Sequence, residues 1–205
     1  MSLFAVWVPI ITFIVIGLYL VVQRQFRLHD DRTIDEVTVF LRRVDWDEAQ
    51  NLFDPASERY SRLVQSDYHF RRTMRVRIHA AREFVWRMYH NVRLVHEWAN
   101  TELRDLLDKS IDDCSDREKL IMALAEQASY FRALALMRLF ELTMWTAFRV
   151  ERWPFMYIPS VAAMRKCGQQ NELDFLELYD QLKNAAAGLA LNYGKDFYDE
   201  MLALF

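Results

Sequence analysis

Asp112-Asp113-Cys114-Ser115-Asp116 spells Asp-Asp-x-x-Asp, a string that can hold Mg²⁺ against a diphosphate when a helix aims its carboxylates into a deep apolar cavity. Here the string falls where the chain is expected to turn between two helices, and no second Asp-rich motif accompanies it. Its acids read as caps for the helix that follows. His79, Glu83, Trp86, His90, Arg93 and Glu97 recur at helical spacing on one face. His79 and His90 stand three turns apart, about 16.5 Å at 1.5 Å per residue, too far to share one metal ion. Only His79 and Glu83 could share one, so the stripe reads as a solvated polar face. Neither Glu-x-x-His nor His-Glu-x-x-His occurs, which removes the di-iron bundle and zinc-protease ligand sets.

Cysteine chemistry is equally unsupported. Cys114 lies among aspartates that oppose a thiolate, and Cys167 follows Arg165 and Lys166 but sits near an expected helix C-terminus, where the dipole opposes one too. Gly-x-Ser-x-Gly, P-loop and dinucleotide fingerprints do not occur. No catalytic, metal-binding or cofactor-binding residue is assigned.

Charge is more informative. Residues 1–93 carry 14 Lys and Arg against 11 Asp and Glu, whereas residues 94–205 carry 12 against 18. Nine arginines and only two acids fall within residues 59–93, and Arg71, Arg72, Arg75 and Arg82 share a broad helical face. Such a face suits carboxylate or phosphate, an anionic lipid headgroup included, unless it pairs with the acidic C-terminal half. Nucleic acid is not expected, because the chain is acidic overall and carries no binding motif for it. Arg77 points to the apolar side of the same helix, where an unpaired charge is costly; Glu151 is its expected partner. Trp153-Pro154-Phe155-Met156-Tyr157-Ile158-Pro159 is uncharged and broken by proline. If exposed, Trp153, Phe155 and Tyr157 would form a contact patch.

The elements that must position these residues are helical. Hydrophobic residues make up 53% of the chain, yet only four residues are Gly and four are Pro, so punctuation is sparse. Thr33 and Glu36 form a capping-box pattern for a helix to about Val44, and Asp45 and Glu48 repeat it for Trp46 to Phe53. Pro55 opens a long stretch that reaches about Lys109, with a break expected near Ser66 to His69. From Met74 to Ala99, Met74, Ile78, Ala81, Val85, Met88, Val92, Val95 and Ala99 alternate steps of four and three, the heptad seam of a helix packed along another. Its partner is a helix from Asp116 to Glu151, apolar on most faces and therefore expected in the middle of the bundle. Arg132, Arg138, Glu141 and Arg149 argue against that helix being a second membrane span. Pro159 to Gly168 is expected to form a short helix. Asn171 is expected to cap a last long one, broken at Gly194.

Leu3 to Val22 is a charge-free apolar run of membrane-spanning length, about 30 Å as a helix. It lacks the basic start, the short core and the cleavage site of a signal peptide. Arg24, Arg27 and Arg32 follow it, so the expected topology is N-terminus out with the large domain in the cytoplasm. A disulfide between Cys114 and Cys167 is not expected there. The sequence therefore predicts an all-α protein: a single transmembrane helix and juxtamembrane segment over 1–28, then an antiparallel bundle of three long helices plus short ones over 29–205, at the inner (cytoplasmic) membrane. The expected role is a tethered interaction or scaffold module holding a protein partner, with no cofactor. The alternative is an enzyme or carrier that grips an anionic membrane lipid through its arginines.

Overall fold

A computed structural model describes residues 33–108, 115–148, 160–166 and 174–205. They fall in one compact unit, Arg32–Phe205, and the expected anchor over Leu3 to Val22 lies outside them. The described residues are all-α.

Three short helices come first: α1 (Ile34–Phe40), α2 (Trp46–Leu52) and α3 (Pro55–Val64). α1 is shorter than expected. Thr33 is its N-cap residue but makes no side-chain cap bond, and the backbone turns extended at Leu41. The Thr/Glu pattern predicts a capping box, but the backbone alone closes the turn, with Glu36 N and Val37 N donating to Thr33 O. α2 starts as expected, with the Asp45 carboxylate accepting from Glu48 N at 3.0 Å. Asp54 does the same for α3, accepting from Ala56 N and Ser57 N while Pro55 occupies the first turn. Those two N–H bonds, Ser57's first, hold the Asp54 carboxyl below its ordinary value.

After a break at Gln65 and Ser66, α4 (Asp67–Asp108) runs for 42 residues, about 63 Å. All eight residues of its heptad seam are buried. They face α5 (Ser115–Ala147), and the order of contacts makes the pair antiparallel: Arg117 meets Glu102, while Ser129 and Arg132 meet His96. A 3₁₀ turn (Ala162–Arg165) precedes α6 (Phe175–Ala190), whose N-cap is Asp174 rather than Asn171. Asp174 accepts from Leu176 N and pairs with Arg165, so it closes α6 and ties it to the 3₁₀ turn together. Gly194, at φ 141°, breaks the chain before α7 (Lys195–Leu204), as its sequence position predicts.

Phe131 of α5 stacks on Phe175 of α6 at 4.7 Å and lies 5.5 Å from Tyr179, which stacks on Phe205 at 4.9 Å. This aromatic ladder joins α5, α6 and the last residue of the chain. Through it, α6 covers one flank of the α4–α5 pair, and α7 packs on α6 and α1.

α5 is not central, contrary to expectation. Ile121, Leu124, Ala128, Phe131, Ala135 and Leu142 are buried on one side, but Met122, Tyr130, Met137, Phe140 and Phe148 stand exposed on the other. An apolar circumference marks burial only when neighbours surround the helix. Here α4 and α6 cover only part of it.

Candidate functional site

Arg72, Arg75 and Arg82 are exposed along the outer face of α4, and Arg71 is half-buried beside them. Tyr68 and Val76 stand exposed among them. Further along α4 the face is partly covered: Arg42 lies 4.1 Å above the Trp86 ring, His90 stacks on Trp86 and contacts Phe40 O, and Arg93 pairs with Glu97 at 2.7 Å. The stripe read as solvated thus forms, in its middle, the bed for the chain leaving α1. His79 is exposed, Glu83 pairs with Arg87, and among the described residues no group of three His, Cys, Asp or Glu could hold a metal ion.

α3 buries none of its residues, and Tyr60, Leu63 and Val64 project from it; Leu63 is 85% exposed. Between α3 and the 160–166 segment lies a cleft of about 360 Å³, lined by Glu58, Arg59, Arg62, Ala162 and Lys166 among others. Glu58 accepts from Ala162 N at 3.1 Å and so joins α3 to that segment. Pro55 and the break expected near Ser66 to His69 set Arg59 and Arg62 on a helix of their own, as found, but no sequence signal singled them out from the other arginines as cleft residues.

Arg77 is half-buried and reaches the end of α2. Its Nη2 donates to Leu52 O at 2.6 Å, and its Nη1 donates to Ser57 Oγ at 3.1 Å. A guanidinium at carbonyls freed by a helix C-terminus is favourable both as a hydrogen bond and against the dipole. Glu151, the partner expected from sequence, lies outside the described residues, as do Trp153, Phe155, Tyr157, Cys114 and Cys167.

One arrangement resembles a nucleophile and its base. Ser129 Oγ lies 2.9 Å from His96 Nε2, but Arg132, nearly buried, donates to His96 Nδ1 at 3.0 Å. A donor on Nδ1 leaves the ring proton on Nε2, so Nε2 cannot take a proton from Ser129. The guanidinium further opposes an imidazolium, where a catalytic histidine needs a carboxylate. The trio is a polar clasp between α4 and α5.

At the other end of the α4–α5 pair, Glu102 accepts from Arg117 and from Trp98 Nε1, and Arg117 also donates to Tyr193 Oη at 3.0 Å. Desolvation, then Glu102, pushes the Tyr193 phenol up to about 12.

The outer face of α5 is the most distinctive surface. From Ser129 to Phe148 its only charges are Arg132, turned inward, and the pair Arg138–Glu141 at the edge, joined at 3.0 Å. Arg138 is further tied to Lys166 O at 2.7 Å. By length and composition Asp116–Ala147 could cross a membrane, the test that core helices of soluble proteins also pass. Compared with known proteins, the chain matches no family model, no curated protein and no solved structure.

Proposed function

We propose that this protein is a membrane-tethered helical interaction module, anchored by Leu3 to Val22 with its bundle on the cytoplasmic face, that holds a protein partner. The observation that carries the reading is the uncharged outer face of α5, which leaves Met137 and Phe140 more than half exposed. A contiguous apolar face of this kind marks a contact surface. Neither the arginines nor the Ser129–His96 pair forms a catalytic constellation, so binding accounts for the surface better than turnover does. The arginine face on α4 is a second candidate contact, suited to acidic groups on a partner or on lipid headgroups.

The alternative, an enzyme or carrier acting on an anionic lipid, is favoured by one observation: the cleft lined by Arg59, Arg62 and Lys166 next to exposed Tyr60, Leu63 and Val64. Cations beside apolar side chains match a headgroup and its acyl boundary.

Photo-crosslinking of the full-length chain in native membranes separates the two. Probes at Met137 and Arg72 are expected to capture polypeptide. Capture of lipid alone, concentrated at Arg59, would favour the alternative. Digestion of the bundle by protease added outside intact cells would reject the topology.

A further inference from the structure

We infer that the outer face of α5 is occupied by α5 of a second copy of this chain, in an antiparallel two-fold pair. The inference rests on reading that face as an interaction surface and names its partner. Opposite the inward side of α5 runs a second seam: Tyr130, Ala133, Met137, Phe140, Met144 and Ala147 alternate steps of three and four. On this seam Tyr130, Ala133, Met137, Phe140 and Ala147 are exposed and Met144 is partly so. A heptad seam is the mark of a helix that meets another helix of similar length. The inward seam already meets α4, whereas the outward one stands largely exposed.

Three features select a second copy. The first is fit. About a two-fold axis midway between Met137 and Phe140, antiparallel pairing sets Met137 against Phe140, Ala133 against Met144 and Ala147 against Tyr130, each from the other copy. The outer layers thus meet small against large, the arrangement that interdigitates at native density. Parallel pairing would set Ala133 on Ala133 and Phe140 on Phe140, alternating gaps with overpacked layers. The second is charge. The seam from Tyr130 to Ala147 is neutral and so meets itself without repulsion, and antiparallel helices oppose their dipoles favourably. The third is area. Tyr130, Met137, Phe140 and Phe148, which lie within the overlap, are 44%, 65%, 56% and 63% exposed. At roughly 150–250 Å² for a large side chain they offer on the order of 450 Å², and the smaller residues between them bring the face towards the ~800 Å² per partner of a stable interface.

The test is disulfide mapping of the full chain in its native membranes, with Cys114→Ser and Cys167→Ser as background. Cells co-express two differently tagged copies, one Ala133→Cys and the other Met144→Cys. The mixed pair is expected to cross-link under mild oxidation. Either cysteine alone is not, because the two-fold places each about 16.5 Å along the axis from its own mate. Adding Met137→Glu to both copies is expected to cut cross-linking about tenfold, since it sets a charge in the apolar seam. Met137 is exposed within one copy, so helix content by circular dichroism is expected to stay unchanged. Cross-linking of Ala133→Cys to itself overturns the antiparallel pair, as does the absence of any product. A photoprobe at Met137 that captures only a different polypeptide also overturns self-pairing while leaving the interaction module standing. One that captures only lipid removes both.

Discussion

Asn91 of α4 donates to the Tyr179 hydroxyl of α6 at 3.0 Å in the fully buried centre of the bundle. Asn91 also accepts from Arg42 N and donates to Arg42 O, each at 2.8 Å, and Tyr179 donates to Phe205 O at 2.6 Å. One amide and one phenol thereby join α4, α6, the segment after α1 and the last residue. The Asn91 amide and the Tyr179 hydroxyl both have partners for donor and acceptor, so the network specifies a single arrangement of four otherwise separate pieces.

Asn91→Ala is therefore expected to destabilise the bundle by about 2–4 kcal/mol, because it strands both backbone groups of Arg42 as well as the phenol. Urea unfolding of the purified full-length protein measures it. A loss below about 0.5 kcal/mol, the range of an ordinary surface change, would show that water replaces the amide without cost.

Tyr179→Phe is expected to cost about 1–3 kcal/mol by leaving Phe205 O unpaired. It carries a pH signature as well. Burial raises the Tyr179 phenol well above its ordinary value, so the folded state keeps its proton where the unfolded chain loses it. Stability from this group is full below about pH 10, the unfolded value, and falls as pH rises beyond it. The alkaline decline is expected to be shallower in Tyr179→Phe. Tyr193, pushed up to about 12 but partly exposed, contributes less of the same sign.

The inward half of this fold was legible in sequence. Met74 to Ala99 carry a strict heptad, and a helix with one apolar stripe has only one way to face. Asp45, Asp54 with Pro55, and Gly194 mark local boundaries, since caps and positive φ are set by neighbours in the chain. α5 was illegible in the opposite sense. Two seams run along it, and composition cannot say which of them the rest of the chain covers. Asn171 and Asp174 both precede α6, and the second is the cap, accepting from Leu176 N while it pairs with Arg165. The partners of Arg77 were out of reach for another reason: the carbonyls at a helix end carry no residue signature.

Arg77→Ala is expected to loosen α2 and α3 from α4 and to cost about 1.5–3 kcal/mol, the range for hydrogen bonds from a charged donor. Arg77→Lys should recover only part, because an ammonium cannot span Leu52 O and Ser57 Oγ as the fork does. Hydrogen exchange distinguishes this from a general loss. Protection should fall over residues 46–64 first, while α4 and α5 keep theirs. Equal loss across the bundle would assign Arg77 a role in the core instead.

Ser129 supplies the prediction that bears on chemistry. A serine activated by histidine reacts with fluorophosphonates because the imidazole removes its proton as the oxygen attacks. In this protein the ring proton sits between Nε2 and Ser129, and Arg132 occupies the position from which a carboxylate would orient and stabilise the imidazolium. The full-length protein is therefore expected to resist fluorophosphonate labelling at Ser129, and Ser129→Ala should behave as wild type with the probe. Stoichiometric labelling that disappears in Ser129→Ala and in His96→Ala would mean that Arg132 swings away and frees Nδ1. That result would move the protein from binding module to hydrolase.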